Sequence, residues 1–184
     1  MSKQIFDILF AFISLAVLFP ILLICWLLAC IDTRSNGVFL QTRVGQFGKQ
    51  FTIYKLRTMR FSTNKVSNIG TFLRTYKLDE LPQLLNVLQG NMSIVGPRPD
   101  IAGYYDTLEG EQRKTLELKP GLTSAAAIKY ANEEQVLAQQ ENPLLFNDTV
   151  LFPDKVRMNL AYYYNHTFWG DLQLILKTIV KVFK

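Results

Sequence analysis

Histidine occurs once in the 184 residues, at His166, and cysteine twice, at Cys25 and Cys30. A lone histidine between Asn165 and Thr167 reads as a surface or helix-end residue, and no serine, cysteine and histidine pattern marks a catalytic triad. Both thiols lie in the apolar N-terminal segment without metal-ligand spacing, which excludes a disulfide framework. Lipid-facing thiols beside a domain in a reducing, cytosolic compartment fit that distribution. Internal repeats and low-complexity stretches are absent. Acid is missing where base is dense. From Thr33 to Lys77 there is no Asp or Glu, against Arg34, Arg43, Lys49, Lys55, Arg57, Arg60, Lys65, Arg74 and Lys77.

The chain is 49% hydrophobic and 19% charged, which fits neither a disordered chain nor a polytopic membrane protein. Its net charge of +5 favours anionic partners: phosphates, anionic lipid or nucleic acid. From Ile5 to Ile31 the only charge is Asp7, so this run is a transmembrane candidate. It is too long for a signal-peptide core and lacks a small-x-small cleavage site. Pro20 removes one helix hydrogen bond and crowds the carbonyl of Ala16, predicting a kink or break. Split there, the pieces span about 22 Å and 17 Å, each short of a hydrocarbon core about 30 Å thick. A kinked span and a re-entrant hairpin both remain open. Only Lys3 precedes the segment, so the positive-inside rule puts the large domain in the cytoplasm.

In the soluble part, Val38–Leu40 and Phe51–Tyr54 read as strands flanking a Gly45–Gly48 turn. Gly70–Tyr76 reads as a short helix. Leu81, Leu84, Leu85 and Leu88 have helical spacing, with Pro82 in the first turn and Gly90 as the stop. Gly103–Leu118 reads as a charged helix, Ala125–Tyr130 as a strand, Glu133–Gln140 as a helix and Pro143–Pro153 as a loop. Asp154–Tyr164 and Gly170–Lys184 are two further helices. In the last one, Leu172, Ile175, Leu176, Ile179 and Phe183 share an apolar face, and Lys177, Lys181 and Lys184 form a basic stripe. That pattern suits an interfacial helix on anionic lipid and equally a helix packed on the core.

Asp79-Glu80 is the sharpest chemical feature. Two carboxylates are expected to open a helix directly after the basic stretch, where the helix dipole stabilises carboxylate and attracts phosphate. An ionised Asp there could attack phosphorus and form an acyl-phosphate, and the second carboxylate could hold a divalent metal. Alone, such a pair is an ordinary surface-helix start. Gly96-Pro97-Arg98-Pro99 clamps one arginine between prolines, and the guanidinium fork fits phosphate oxygens. Lys55 and Arg57 fall on one side of a strand-like segment and could meet phosphate as well.

In order along the chain, these residues resemble the bacterial sugar transferases, the small monotopic phosphoglycosyl transferases. The matching stretches are Gln41-Thr42-Arg43-Val44-Gly45, Phe51 to Met59, Leu78-Asp79-Glu80-Leu81-Pro82-Gln83 through Val87, Gly90 through Pro99, Lys119-Pro120-Gly121-Leu122-Thr123, and Asp171-Leu172. The resemblance implies Asp79 as nucleophile on the β-phosphate of a UDP-sugar, with release of UMP and passage of the phospho-sugar to polyprenol (undecaprenyl) phosphate. It implies Glu80 and Asp79 around Mg²⁺, and Arg74 and Arg98 on phosphate groups, beside the Lys55 and Arg57 already singled out. It also implies a compact, mostly helical α/β fold. Residues 1–31 would form a re-entrant membrane helix broken at a proline, and residues 32–184 a catalytic domain on the cytoplasmic face of the bacterial inner membrane. Two departures stand out. Phe19, where members commonly carry serine, precedes Pro20. Ala131 falls where members carry an arginine, which makes Lys129 the candidate substitute for a substrate contact. A non-catalytic membrane scaffold for glycan assembly is the rival reading, although it needs no combination of Asp79, Glu80 and Arg98. Nucleic-acid binding leaves the apolar segment unexplained and matches no known binding motif.

Overall fold

β-branched and aromatic residues suit a pleated, half-buried surface, and they extend the hairpin beyond the stretches expected for it. In the computed structural model, which describes residues 3–60 and 65–183, Val38–Val44 (β1) pairs antiparallel with Gln50–Leu56 (β2), Val44 opposite Gln50. Among the described residues a second sheet joins Ser93–Val95 (β3) and Gly121–Thr123 (β4) in parallel. Everything else regular is helical: Lys3–Thr33 (α1), Asn68–Thr75 (α2), Gln83–Leu88 (α3), Ala125–Lys129 (α4), Glu133–Ala138 (α5), Pro143–Phe146 (α6), Phe152–Asn165 (α7) and Phe168–Val182 (α8). The fold is thus α/β and mostly helical.

Three segments differ from the sequence expectation. Residues 103–118 form two short 3₁₀ stretches, Tyr105–Thr107 and Gly110–Glu117, instead of one helix. Asp106 draws the backbone N–H groups of Gly103 and Tyr104 onto its own carboxylate, and Gly110 turns the chain at φ 53°. Residues 125–129 are helical where a strand was expected. Ser124 caps that helix by accepting from the Ala127 N–H, and alanines favour it. The strand lies just before, at β4. Residues 143–153, expected as a loop, are α6 and a π-turn over Asn147–Leu151 that runs into α7. Pro143 and Pro153 sit in first turns, where a proline has no helix bond to lose.

α1 runs through Pro20 as one element. By length and composition it could cross a membrane. Its middle presents Phe12, Ile13, Val17, Phe19, Ile21, Leu23 and Ile24 to the outside. Its two ends are fastened to the same domain. Near the N-terminus Ala11, Phe6, Phe10 and Leu15 pack into a core with Ile53, Leu84, Val87, Ile94 and Ile175. Near the C-terminus Cys25 and Ala29 pack with Leu56 and Leu73. Polar locks accompany both. Asp7 accepts from the Ser93 hydroxyl at 2.7 Å and the Ile94 N–H at 3.3 Å, and Lys3 pairs with Asp171 at 2.7 Å. Asp32 pairs with Arg60 at 2.8 Å and accepts from the Ser67 hydroxyl, which also caps α2.

α8 carries three stripes. Asp171 and Ile175 are buried against the domain, whereas Leu176, Ile179, Val180 and Phe183 are exposed. Lys177 and Lys181 are exposed beside them, and Lys184 lies outside the described residues. Asp7→Ala should remove the partner of a buried backbone N–H and loosen α1, at about 1–3 kcal/mol. Thermal unfolding of detergent-solubilised protein reads this as a lowered Tm; an unchanged Tm would mean that Asp7 does not hold the helix.

Candidate active site

Lys77 sits in the left-handed region (φ 53°) at the end of α2, and the chain reverses there into a 3₁₀ turn, Leu78–Glu80. Asp79 and Glu80 therefore occupy a tight turn ahead of α3 rather than opening that helix, and both are buried, at 7% and 8% exposure. Two further elements bring their partners. β2 is held to α3 by Asn86, which is fully buried. Its side chain accepts from the Tyr54 N–H at 3.1 Å and donates to the Thr52 carbonyl at 2.7 Å, placing Lys55 over the turn. Arg98 is delivered by the segment after β3, where Gly96 and Gly121 lie backbone against backbone. The Gly121 N–H donates to the Pro97 carbonyl at 2.7 Å, and a Cβ on either glycine would strike the other strand's chain.

Glu80 is the electrostatic hub. Its Oε1 accepts from Lys55 Nζ at 2.8 Å and from Arg98 Nη2, while Oε2 faces Arg98 Nη1 at 3.4 Å. Burial would raise its pKa, but Arg98 and Lys55 together hold the carboxyl well below the usual carboxylate range. Asp79 is its opposite. One carboxylate oxygen, Oδ1, is buried with no hydrogen-bond partner. Burial first, and then the Glu80 charge, push its pKa from 3.8 to about 6, against the pull of Lys55, Lys77 and Arg74. Two neighbouring acids thus differ in state: one held ionised between two cations, the other harder to ionise and unpartnered at one oxygen.

Of the residues singled out from sequence, Asp79, Glu80, Lys55 and Arg98 come together. Arg74 lies at their edge, donating from Nε to the Thr58 hydroxyl at 2.9 Å and acting on Asp79 through its charge. Arg57 is directed to the start of β1, donating to the Val38 carbonyl at 3.1 Å with its guanidinium over the Phe39 ring. Lys129 pairs with Asp154 at 2.6 Å on the surface. His166 caps the end of α7. Among the described residues no group of three His, Cys, Asp or Glu could hold a metal. The Glu80 oxygens face Lys55 and Arg98. The unpartnered Asp79 oxygen does fit a hard cation such as Mg²⁺, which commonly takes one or two carboxylates plus substrate phosphates. Sequence reasoning assigned no role to Asn86, Arg43 or Gln83. Arg43 and Gln83 join Lys55, Arg98, Ile53 and Leu122 in lining a cleft beside the turn.

The raised pKa has a consequence for stability. Folded Asp79 keeps its proton at pH values where the unfolded chain has lost it. The stabilisation from holding that proton is present below pH 3.8 and is lost as pH rises through about 6. Asp79→Asn never ionises, so it should exceed the wild type by about 1–3 kcal/mol at pH 8 and by nothing near pH 4. Denaturant titrations at the two pH values check this; equal stability at pH 8 would remove the strain from Asp79.

The profile of the family described as bacterial sugar transferase matches residues 1–184. The UDP-glucose:undecaprenyl-phosphate glucose-1-phosphate transferase of Caulobacter vibrioides is 30% identical over 194 residues, covering 97% of this chain and 68% of the relative. The protein of the same name from Escherichia coli is 32% identical over 200 residues, covering 98% of this chain and 40% of the relative. The UDP-N-acetylgalactosamine-undecaprenyl-phosphate N-acetylgalactosaminephosphotransferase of Aeromonas hydrophila is 29% identical over 192 residues, covering 96% of this chain and 42% of the relative. With a buried aspartate bared beside a doubly paired glutamate, and with this match from end to end, the chain belongs to the bacterial sugar transferase family.

Proposed function

We propose that this chain transfers a sugar 1-phosphate from a UDP-sugar to polyprenyl phosphate, with Asp79 as the covalent carrier. The observation that carries the reading is the Asp79 carboxylate: buried, unpartnered at Oδ1 and ringed by Lys55, Lys77 and Arg74. In the first half, an Asp79 oxygen attacks the sugar-bearing phosphorus. The phosphorus–bridging oxygen bond breaks and UMP leaves with the electron pair, giving an aspartyl phospho-sugar. In the second half, an oxygen of the acceptor phosphate attacks the same phosphorus and Asp79 is regenerated. Neither half requires a protonated acid, which suits a site without a free histidine. Lys55 and Arg98 face the diphosphate, and Arg74 adds positive charge at the edge. Mg²⁺ held by Asp79 and phosphate oxygens would supply further charge neutralisation. A scaffold would have no use for a carboxylate kept bare and hard to ionise.

The membrane arrangement belongs to the same proposal. Lys3 and Asp7 at one end of α1, and Asp32 at the other, are held by the same domain. A crossing helix would have to break one of these sets. On this reading residues 1–31 enter and leave the bilayer on one face, with residues 32–184 on the cytoplasmic side of the bacterial inner membrane. The exposed stripe of Leu176, Ile179, Val180 and Phe183 beside Lys177 and Lys181 lies in the headgroup region. A soluble nucleotide-sugar and a membrane-bound acceptor then meet at Asp79. The relatives named for glucose and for N-acetylgalactosamine match to a similar degree, so the sugar is a question for a substrate panel.

Purified protein should release UMP from at least one UDP-sugar when polyprenyl phosphate is supplied. Asp79→Asn should lose at least a thousandfold, and EDTA should suppress turnover until Mg²⁺ is restored. Release by Asp79→Asn at near the normal rate would refute the carrier role. For topology, a cysteine at Gln4 in a Cys25→Ala, Cys30→Ser background should resist a membrane-impermeant thiol reagent in cells with an intact inner membrane. Labelling in such cells would mean a true span.

A further inference from the structure

Arg43 is a half-buried cation with one guanidinium nitrogen left unpartnered. It stands on β1 opposite Phe51, and its side chain is 19% exposed. Its Nη2 donates to Gln41 at 2.6 Å, but its Nη1 reaches Asp100 only at 3.5 Å, and its buried Nε has no partner. Burial disfavours its charge and Arg98 adds to that, while Asp100 and Glu80 pull the other way. Asp100 and Glu80 already stand beside the two guanidiniums, and the unpartnered Nε is the donor left for a further anion. Gln83 points to the same place. It is 4% exposed and lines the same cleft. Lys55 completes the wall and is also the first cation acting on Asp79, so the cleft adjoins the nucleophile.

The reaction geometry identifies the anion. This step rests on the proposed double displacement at Asp79. In-line attack by Asp79 expels UMP from the side of phosphorus opposite the carboxylate. In-line attack on the aspartyl phospho-sugar must then come from that same side, where UMP has just left. The leaving phosphate of UMP and the attacking phosphate of the acceptor are both phosphate monoesters, and they occupy one position in turn. We propose that the cleft formed by Arg43, Gln83, Lys55 and Arg98 is this shared phosphate-monoester subsite, with Arg43 and Gln83 as substrate-contacting residues. UMP and polyprenyl phosphate therefore exclude one another, and a UMP that lingers reverses the first half-reaction instead of allowing the second.

The test uses the full-length protein in detergent or nanodiscs. Arg43→Gln and Gln83→Leu should each weaken UMP binding, measured by calorimetry with UMP alone, by tenfold or more. Each should raise KM for polyprenyl phosphate by a similar factor. Arg43→Lys should recover part of both losses. UMP should inhibit competitively against polyprenyl phosphate at fixed UDP-sugar. Asp100→Asn serves as the structural control: it loosens the existing Arg43 contact and should leave both constants within about threefold. The proposal is overturned if UMP affinity and acceptor KM are unchanged in Arg43→Gln and Gln83→Leu. It is also overturned if only one of the two ligands is affected, since the subsite is then not shared, or if Asp100→Asn reproduces the losses, since Arg43 then acts through structure. UMP calorimetry does not depend on turnover. An enzyme that binds UMP through Arg43 but releases none from any UDP-sugar would count against the reaction and leave the subsite standing.

Discussion

The ion triad of Glu80 with Lys55 and Arg98 is the constraint on which the rest of the site depends. Removing a carboxylate from water costs several kcal/mol, and only two close cations make a buried Glu80 tolerable. Each of those cations needs its own support. Lys55 is placed by β2, which Asn86 fixes to α3 through both of its side-chain hydrogen bonds. Arg98 is placed by a strand crossing that tolerates no Cβ at Gly96 or Gly121. Once Glu80 is locked as an anion, its neighbour feels it. Asp79 is left with an unpartnered oxygen and a pKa pushed up to about 6, so the charge that organises the site also keeps its carboxylate lightly committed to its surroundings. Near neutral pH such a group is mostly ionised and poorly solvated, a state that favours attack on a phosphorus whose charge the nearby cations offset.

The same economy of contacts governs how α1 is held. α1 supplies side chains to the core beneath β3 and α3 and, further along, to the cluster that holds Leu56 and Leu73. These two cores flank the turn that carries Asp79 and Glu80. α1 is therefore part of the domain's interior at both ends, and its apolar middle is left exposed. A movement of α1 would be felt at β2, which carries Lys55, and at α2, which carries Arg74.

Much of this was legible in the residues. The apolar run with its proline, the basic stretch after it, the acidic pair and the arginine between prolines all carry their chemistry in local order. Elements with strong periodicity, α2, α3, α7 and α8, lie close to where the leucine spacing and caps put them. Local reading failed where a side chain competes with the backbone. Asp106 dismantles a helix by capturing two N–H groups, and Ser124 starts one that an apolar run had disguised as a strand. It also failed wherever a role depends on distant neighbours. Lys55 and Arg57 share a strand face in sequence, yet Glu80 holds the first and the Val38 carbonyl receives the second. Lys129, the stand-in for a missing arginine, is drawn to Asp154, which lies on another helix. Asn86 looks like any polar residue of an amphipathic helix until β2 is laid beside it, and Arg43 like any strand arginine until Arg98 is. Both assignments need pairings separated by many residues, and nothing in the local pattern encodes them.

The account's central claim is that the phospho-sugar rides on Asp79 itself. Mass spectrometry of the protein quenched after mixing with UDP-sugar, in the absence of acceptor, tests it most directly. The protein should gain the mass of one sugar phosphate, the gain should map to the peptide containing Asp79, and it should vanish on addition of polyprenyl phosphate. An adduct on Glu80 or elsewhere would contradict the assignment. UMP formation only in the presence of acceptor, with no adduct at any time, would contradict the covalent mechanism as a whole.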